Sequence, residues 1–264
     1  MRILCIGAHP DDCEYRFAGT AVKLASEGHA LKFLAVTNGD AGHHEIGGGA
    51  LARRRRVEQE EAARRLDVAW EVLDNHDGEY LATLENRLEI IRQIREWQAD
   101  VVLSHRPNDY HPDHRNTGIA VQDSAYMVTV PNVCPGVPAL RRNPIYLYLE
   151  DPFRKPNPFV PDIVVAIDDT WDRKVDSLDA HECQFYEWLP WLDGLLDQVP
   201  GDHAARKGWL SGWLSKLLGN DFRDVLASRY GPGQAARIKH CEAFEVCEYG
   251  RQPSKEELES LFPR

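Results

Sequence analysis

The sequence predicts an α/β protein built on a doubly wound, mostly parallel sheet with helices on both faces. Five short runs are nearly continuous in Val, Ile and Leu, which is typical of strands covered on both faces. Segments with helical periodicity lie between these runs, so strands and helices alternate along much of the chain. Parallel strands joined by right-handed helical crossovers produce this alternation. The expected fold class is therefore Rossmann-like.

The expected strands and helices alternate at regular intervals along the first part of the chain. The expected strands are "RILCIGA" at 2–8, "LKFLAVTN" at 31–38, "AWEVLD" at 69–74, "DVVLSH" at 100–105 and "DIVVAID" at 162–168. The helical patterns between the first four strands and after them cover 16–27, about 50–66, 81–98 and 113–127.

The second half of the chain is less regular. "NPIYLYLE" at 143–150 is a further strand candidate, and 239–249 is expected to return to the sheet late. Residues 131–161 are rich in proline, which indicates a long loop or lid. Residues 170–187 and 203–229 have helical patterns. We expect a single domain over 1–264, with a helical C-terminal part from about 170.

Composition limits the possible partners. The chain has 31 Lys and Arg against 42 Asp and Glu, a net charge of −11. An acidic protein is poorly suited to nucleic acid or to an anionic membrane surface, so we expect neither as a partner. No apolar run approaches the ~18 residues of a membrane span. The first apolar run ends too early for a signal peptide, and the six cysteines form no Cys-x-x-Cys pair. We expect a soluble cytoplasmic protein with reduced thiols.

Two polar segments directly follow two of the expected strands. "AHPDD", residues 8–12, comes after the first strand, and "HRPNDYHPDHRNTG", residues 105–118, comes after the fourth. Ligands of open parallel sheets bind outside the carboxyl ends of the strands. These two segments are therefore the candidates for a functional site.

Both segments carry potential metal ligands at the same spacing. His9 and Asp12 are three residues apart with a proline between them, and so are His111 and His114. Pro112 suits the first position of a helix, and residues three apart on a helical turn face the same way. Histidines combined with a carboxylate form the donor set of a catalytic zinc site.

A cation at this place would also explain two adjacent acidic residues. Asp12 would be a ligand, and Asp11 would stay ionised beside the metal as a base. The alternative is that His9 and Asp11 cap a helix while His111 and His114 are polar surface residues. Matching segments at two strand ends favour the metal site.

The segments resemble the motifs of the PIG-L/LmbE-like family of zinc-dependent N-acetylglucosaminyl deacetylases. The resemblance rests on "GAHPDDCE…AGT" and "HPDH" and covers most of residues 2–190. It extends to "TNGDAG" at 37–42, "RRVEQEEAARRLDV" at 55–68 and "KVDSLDAHECQ" at 174–184.

The resemblance implies a role for individual residues. It implies that one zinc ion, or another divalent metal, is held by His9, Asp12 and His114. Asp11 would be the general base, and His111 would stabilise the oxyanion. Asp113 would orient His111, and Arg55 would line the substrate side.

The resemblance also implies the reaction: removal of an acetyl group from an N-acetylated amino sugar or its conjugate, giving acetate and a free amine. The partner would be a small sugar substrate. The Trp-rich late segment, and not the resemblance, indicates a possible homo-oligomer. The family often has a glycine-rich stretch where this chain has Tyr15, Arg16, Phe17 and Ala18. These bulky residues would change the pocket wall, so the substrate stays open.

Three other functions fit parts of the pattern. A metal-dependent amidase or esterase acting on a non-sugar acyl substrate would use the same chemistry. A non-haem iron enzyme also uses two histidines and a carboxylate, but those sites usually sit on β-barrels. A non-catalytic Rossmann-like binding module would need a glycine-rich phosphate loop; two carboxylates stand at that place.

Several aromatic residues have no role in this scheme. Trp188, Trp191, Trp209 and Trp213 could stack on sugar faces, but core packing or a subunit contact is the favoured interpretation. The His43–His44 pair lies beside glycines and is expected in an exposed loop that could border the pocket.

Overall fold

The central element is a seven-stranded sheet. The computed structural model describes residues 1–217 and 222–264. Its strands are β1 Arg2–Gly7, β2 Ala30–Thr37, β3 Ala69–Asn75, β4 Val101–Ser104, β5 Ile145–Leu149, β6 Ile163–Ala166 and β7 Cys241–Val246. Their order in the sheet is β3-β2-β1-β4-β5-β7-β6. The first five pair in parallel, whereas β7 lies antiparallel between β5 and β6. The predicted mostly parallel α/β sheet is confirmed.

The strand order reverses at β1. From β1 the chain moves outward through β2 and β3, and it then crosses to β4 and β5 on the other side of β1. Such a reversal leaves a crevice outside the carboxyl ends of the two strands where the order switches, here β1 and β4.

Ten α-helices lie in the described part of the chain. They are α1 Asp12–Ser26, α2 Gly48–Leu66, α3 Leu84–Trp97, α4 Pro112–Ser124, α5 Trp171–Asp179, α6 Leu189–Leu192, α7 His203–Leu217, α8 Arg223–Tyr230, α9 Pro232–Ala235 and α10 Lys255–Leu261. A π-helical segment, Cys183–Trp188, joins α5 to α6. No described helix is both long enough and apolar enough to cross a membrane.

Some boundaries differ from the expectation. The helix expected over 16–27 begins four residues earlier, at Asp12. Asp11 has a φ of 126°, so the chain turns sharply between β1 and α1. The helix expected over 170–187 ends at Asp179 and is followed by the π-helical segment. The pattern over 203–229 corresponds to α7 and α8; residues 218–221 lie outside the described residues.

Both faces of the sheet are buried. Ile3 and Cys5 of β1 belong to one apolar core, and Leu4 and Ile6 belong to another on the opposite face. Helices α1, α5, α7 and α10 contribute to the first core, and α3 and α4 to the second. This double coverage explains why the strand sequences are continuously apolar rather than alternating.

The bulky residues of α1 divide between core and surface. Phe17 is fully buried, with its ring 6.0 Å from that of Phe33 and 5.7 Å from that of Phe244. Ala18 is also buried, whereas Tyr15 and Arg16 are partly exposed. Only Tyr15 and Arg16 are therefore available to shape a pocket wall.

Two buried arginines hold the proline-rich segment 131–161, which is irregular on both sides of β5. Arg95 donates to six main-chain carbonyls between residues 127 and 137. Arg106 binds the Asp151 carboxylate at 2.5 and 2.6 Å and donates to the carbonyls of Phe153 and Asn157. Each guanidinium satisfies several carbonyls of the irregular chain before or after β5. A lid function stays a prediction.

Gly118 allows α4 to pack directly on the chain that leaves β4. A Cβ at this position would lie 2.7 Å from the His105 carbonyl oxygen and 2.9 Å from the Arg106 carbonyl carbon. We expect Gly118→Ala to lower the free energy of unfolding by about 1–3 kcal/mol, measured by urea denaturation, because main-chain atoms must move.

Gly212→Ala, on the exposed side of α7, is the matched control. No described atom lies within 4 Å of a Cβ there, so this variant is expected to be neutral or more stable by up to about 1 kcal/mol. Equal stability of the two variants would contradict the close packing of α4.

Candidate metal centre and active site

The pairing of β1 with β4 brings the two polar segments together. Ile6 lies opposite Ser104, whose hydroxyl donates to the Ile6 carbonyl at 2.8 Å. The chain therefore leaves both strands at the same edge of the sheet. The Ala8 carbonyl accepts from the amide and the hydroxyl of Thr37 at 2.9 and 2.8 Å. These bonds tie the segment after β1 to the end of β2.

Donor atoms of three residues from the two segments lie around a common point. His9 Nδ1 is 3.3 Å from His114 Nε2 and 3.5 Å from one carboxylate oxygen of Asp12. His114 Nε2 is 3.5 Å from the other oxygen of Asp12. In a tetrahedral site with metal–ligand bonds of about 2.0–2.1 Å, neighbouring donors are about 3.3–3.4 Å apart. The spacing and the chemistry of this donor set fit a zinc ion.

In each of the two imidazoles, the ring nitrogen that points away from the proposed metal lies against a carboxylate. His9 Nε2 lies 3.0 Å from Asp77 Oδ1 and 3.4 Å from Asp113 Oδ2. His114 Nδ1 lies 3.2 Å from Asp109 Oδ1. A carboxylate at the outer nitrogen holds the proton there, so the inner nitrogen presents its lone pair to a metal.

His105 contacts two of the three donors. Its ring stacks on that of His114, with centroids 4.1 Å apart and an interplanar angle of 6°. Its Nε2 lies 3.1 Å from Asp12 Oδ2 and 3.1 Å from the amide nitrogen of Ala8. His105 is thus placed to fix the orientation of a carboxylate and an imidazole at once.

Three overlapping groups of possible metal ligands occur among the described residues: His9, His111 and His114; Asp12, His105 and His114; and His9, Asp77 and Asp113. The third group lies at the outer nitrogen of His9, and it therefore orients this ring. The first two groups share His114, and the third shares His9 with the first, so all three belong to a single centre.

Asp11 differs electrostatically from its neighbour Asp12. Burial raises the pKa of Asp11 to about 7, against the opposing effect of Arg55. The pKa of Asp12 lies well below its usual value, because the adjacent histidines His114 and His105 outweigh the effect of burial. Burial likewise opposes ionisation of Asp77, but His9 and Arg55 lower its pKa to about 2. One carboxyl group with a pKa near neutrality thus lies beside carboxylates that stay ionised.

Arg55 lies beneath the loop that carries Asp11. Its side chain is 3% exposed. Its guanidinium donates to the carbonyls of Pro10 at 2.8 Å and Gly39 at 3.2 Å, and its Nη2 is 3.3 Å from Asp11 Oδ2. Arg55 therefore acts on the site through the position and charge of Asp11. The predicted contact of Arg55 with substrate stays a prediction.

His111 is the N-cap residue of α4, and only one of its ring nitrogens is used in the cap. Its Nδ1 accepts from the Asp113 amide at 3.2 Å, so a neutral ring carries its proton on Nε2. Burial lowers the pKa of His111, and the neighbouring His9 and His114 lower it further. The ring also makes an edge contact with the exposed Tyr110, with centroids 5.7 Å apart.

The position of Asp113 differs in detail from the expectation. Its carboxylate is fully buried and accepts from the amides of Gly78 at 2.6 Å and Tyr80 at 3.2 Å. It lies against His9, whereas His111 is contacted by the main-chain amide of Asp113. The carboxylate therefore joins the segment after β3 to His9, and orientation of His111 falls to the main chain.

Sequence reasoning missed Asp77, His105 and Asp109. His105 and Asp109 lie in the segment that was singled out after β4, and Asp77 follows β3 by two residues. The rule that strand ends carry the site would have identified Asp77 if it had been applied to the third strand.

The fold and this donor cluster define a Rossmann-like protein with a candidate metal centre at the point where the strand order switches. Residues 4–125 match the model of the PIG-L family, described as GlcNAc-PI de-N-acetylase. The sequence is 32% identical over 207 residues to a diacetylchitobiose deacetylase of Thermococcus kodakarensis, covering 72% of this chain and 74% of the relative. The chain belongs to the PIG-L family and is a deacetylase, a hydrolase of amide bonds.

Solved structures share the fold. N,N'-diacetylchitobiose deacetylase from Pyrococcus horikoshii superposes with a TM-score of 0.71 at 25% identity, over 94% of this chain and 84% of that one. A 4-carboxy-2-hydroxymuconate hydratase from Pseudomonas putida KT2440 superposes with a TM-score of 0.74 at 21% identity, over 96% and 99% of the two chains. The second similarity concerns the fold alone.

We expect Arg55→Gln to destabilise the metal-free protein by about 3 kcal/mol, because the carboxylates of Asp11 and Asp77 lose the buried cation between them. Urea denaturation after chelation measures the change. Arg64→Gln is the control, since Arg64 is 70% exposed in its pair with Glu61, and it should barely alter stability. Equal effects of both substitutions would exclude this role for Arg55.

Proposed function

We propose that the protein is a zinc-dependent deacetylase that removes the acetyl group from an N-acetylated amino sugar or its conjugate. The observation that carries the proposal is the spacing of 3.3–3.5 Å between His9, Asp12 and His114. The diacetylchitobiose deacetylases among the relatives support the sugar substrate. The products would be acetate and a free amine.

His9, Asp12 and His114 would hold the metal. Their donor set of two imidazoles and one carboxylate is that of catalytic zinc sites with an open position. When bound, zinc supplies a Lewis acid and lowers the pKa of water toward neutrality. His105 would keep Asp12 and His114 in their ligating orientation through the contacts described above.

Asp11 would act as the general base. A carboxyl group with a pKa near 7 can accept a proton from the attacking water and later return it to the leaving amine. A bound dication would shift the pKa of Asp11 downward and keep the group ionised at neutral pH. Arg55 would hold Asp11 in place from below.

His111 would stabilise the developing oxyanion. The hydrogen bond at its Nδ1 leaves the Nε2 proton available for donation to the carbonyl oxygen of the acetamide. This donation is possible from the neutral ring, so the role does not need a protonated imidazole in the resting enzyme.

The chain would act as one domain over residues 1–264. The sheet that carries the site uses strands from Arg2 to Val246, and β6 and β7 complete the edge next to β5. Over the described residues, 1–217 and 222–264, this shared sheet supports a single domain that includes both the N-terminal part, which would carry the metal ligands, and the helical C-terminal part.

Acetate release from N-acetylglucosamine, its β-1,4-linked oligomers and its glycosides tests the function directly. We expect release that is lost after chelation and restored by one equivalent of zinc, because the hydrolytic water needs the metal. N-acetylated amino acids and acetyl esters serve as non-sugar controls. Release only from these controls would assign an amidase or esterase, and release that ignores chelation would exclude the metal mechanism.

Two variants separate the base from the ligands. We expect Asp11→Asn to bind zinc stoichiometrically while its kcat falls by at least about 10²-fold, and His114→Ala to lose the metal as well as the activity. Atomic absorption of the dialysed proteins and acetate release give the two measurements. Full activity of Asp11→Asn would exclude Asp11 as the general base. A full equivalent of zinc in His114→Ala would exclude His114 as a metal ligand.

A further inference from the structure

Three polar side chains outside the candidate metal centre form a connected chain of hydrogen bonds. His240 Nε2 lies 2.9 Å from Ser215 Oγ, and His240 Nδ1 lies 2.9 Å from Asp168 Oδ1. Ser215 belongs to α7, Asp168 follows β6 by two residues, and His240 immediately precedes β7. A serine, a histidine and a carboxylate joined in this order through the two ring nitrogens have the arrangement that activates a serine nucleophile.

The carboxylate of Asp168 is held in place by the main chain. It accepts from the amide of Lys239 at 3.0 and 3.2 Å and from the amide of His240 at 2.9 Å. Because an anionic oxygen lies against Nδ1, a neutral imidazole carries its proton there, and the lone pair of Nε2 faces the hydroxyl of Ser215. Burial lowers the pKa of His240 against the opposing effect of Asp168, so the ring is neutral at pH 7. The hydroxyl of Ser215 therefore donates to a base.

The imidazole of His240 is fixed by a stacked indole. The rings of His240 and Trp171 are 3.8 Å apart between centroids, at an interplanar angle of 10°. Trp171 is buried, and its Nε1 donates to Ser211 Oγ at 2.9 Å. Ser211 and Ser215 lie four residues apart on α7, so they face the same side of the helix. One serine therefore holds the indole while the next contacts the imidazole that stacks on it.

This group of side chains is separate from the candidate metal centre. In the sheet, β6 lies four strands away from β1 and three strands away from β4. At the usual strand spacing of ~4.8 Å, these separations are about 19 and 14 Å. The deacetylation proposed at the metal centre therefore does not use Ser215, His240 or Asp168.

Ser215 and His240 line an open groove that carries positive charge. Arg223, Arg237 and Lys239 line the same groove, and both Arg237 and Lys239 are exposed to solvent. These cations contrast with the net charge of −11 of the whole chain. A negatively charged molecule is therefore attracted to the groove rather than to the surrounding acidic surface.

We propose that Ser215 is the nucleophile of a second hydrolytic site, with His240 as its general base and Asp168 orienting this base. The substrate class is a carboxylic ester that bears a negative charge, such as a half-ester of a dicarboxylic acid. The negative charge fits the cationic groove, and the ester carbonyl suits an activated serine. This activity needs neither the metal centre nor the deacetylation reaction.

The hydrogen bonds define the steps of the reaction. Ser215 Oγ attacks the carbonyl carbon of the ester while His240 Nε2 takes the hydroxyl proton, and the positive charge of the groove stabilises the oxyanion. The bond from the carbonyl carbon to the alcohol oxygen then breaks, and the alcohol leaves with that proton. Water attacks the acyl-serine, and His240 takes its proton and returns it to Ser215 Oγ. One ester and one water thus give one acid and one alcohol.

A fluorophosphonate probe, which phosphonylates activated serines and releases fluoride, tests the nucleophile in the zinc-loaded protein. We expect the probe to label Ser215, as located by peptide mass spectrometry. The labelling rate should fall at least about 10²-fold in His240→Gln, because this variant lacks the base. An unlabelled Ser215 in the native chain, or an equal labelling rate in His240→Gln, would overturn the proposal.

Ser26→Ala is the matched control for Ser215→Ala. Ser26 is exposed at the end of α1, and its hydroxyl donates to the carbonyl of Lys23 at 2.6 Å, which is no base. We expect Ser26→Ala to be labelled like the native chain and Ser215→Ala to lose the label. Undiminished labelling of Ser215→Ala would show that another residue reacts and would exclude Ser215 as the nucleophile.

Hydrolysis of mono-p-nitrophenyl succinate, an anionic ester, measures turnover in zinc-loaded protein carrying Asp11→Asn. We expect hydrolysis that persists after chelation and falls at least about 10²-fold when Ser215→Ala is added. The neutral p-nitrophenyl acetate should have a lower kcat/KM, because it lacks the charge that the groove attracts. Hydrolysis that ignores Ser215→Ala would overturn the site, and a preference for the neutral ester would overturn its substrate class.

Acetate release from N-acetylated sugars separates this site from the proposed function. In an otherwise native chain, Ser215→Ala is expected to release acetate at the native rate. Ester hydrolysis that depends on Ser215, in a protein that releases no acetate from sugars, would support the second site and remove only the proposed deacetylation.

Discussion

The site depends on the parallel pairing of β1 with β4 at the point where the strand order reverses. This pairing brings together two segments that are about 100 residues apart in the sequence, at His9–Asp12 and His105–His114. The interstrand spacing of a sheet, ~4.8 Å, is close to the distance over which a small ion can bridge side chains. The donors meet because their strands are neighbours, and the close contact of α4 at Gly118 keeps them there.

The second constraint is electrostatic. Asp11, Asp12, Asp77, Asp109 and Asp113 surround a group of histidines, and ionised carboxyl groups at such density repel one another unless cations lie among them. Arg55 supplies one positive charge from below, between Asp11 and Asp77. A divalent ion at the donor set would add two more. The same arrangement gives neighbouring carboxyl groups different pKa values, which is how one site provides both a ligand and a base.

The fold alone does not decide the chemistry. A hydratase and deacetylases share this architecture with the chain, so the argument for function must come from the residues at the strand ends. The family match and the donor spacing point to the same site. The surroundings of the site are where the substrate would be selected.

Apolar periodicity and turn residues are local signals, so the amino-acid order alone predicts the alternation of strands and helices and the strand ends that carry the polar segments. It thereby identified His9, Asp12, His111 and His114 as candidates. The folded chain adds that Asp77 lies against His9, that the Asp113 carboxylate faces His9, and that His105 stacks on His114. It also places His44 and two late tryptophans in one stack. These contacts follow from strand order and helix packing, which join residues distant in the chain and leave no periodic pattern in the sequence.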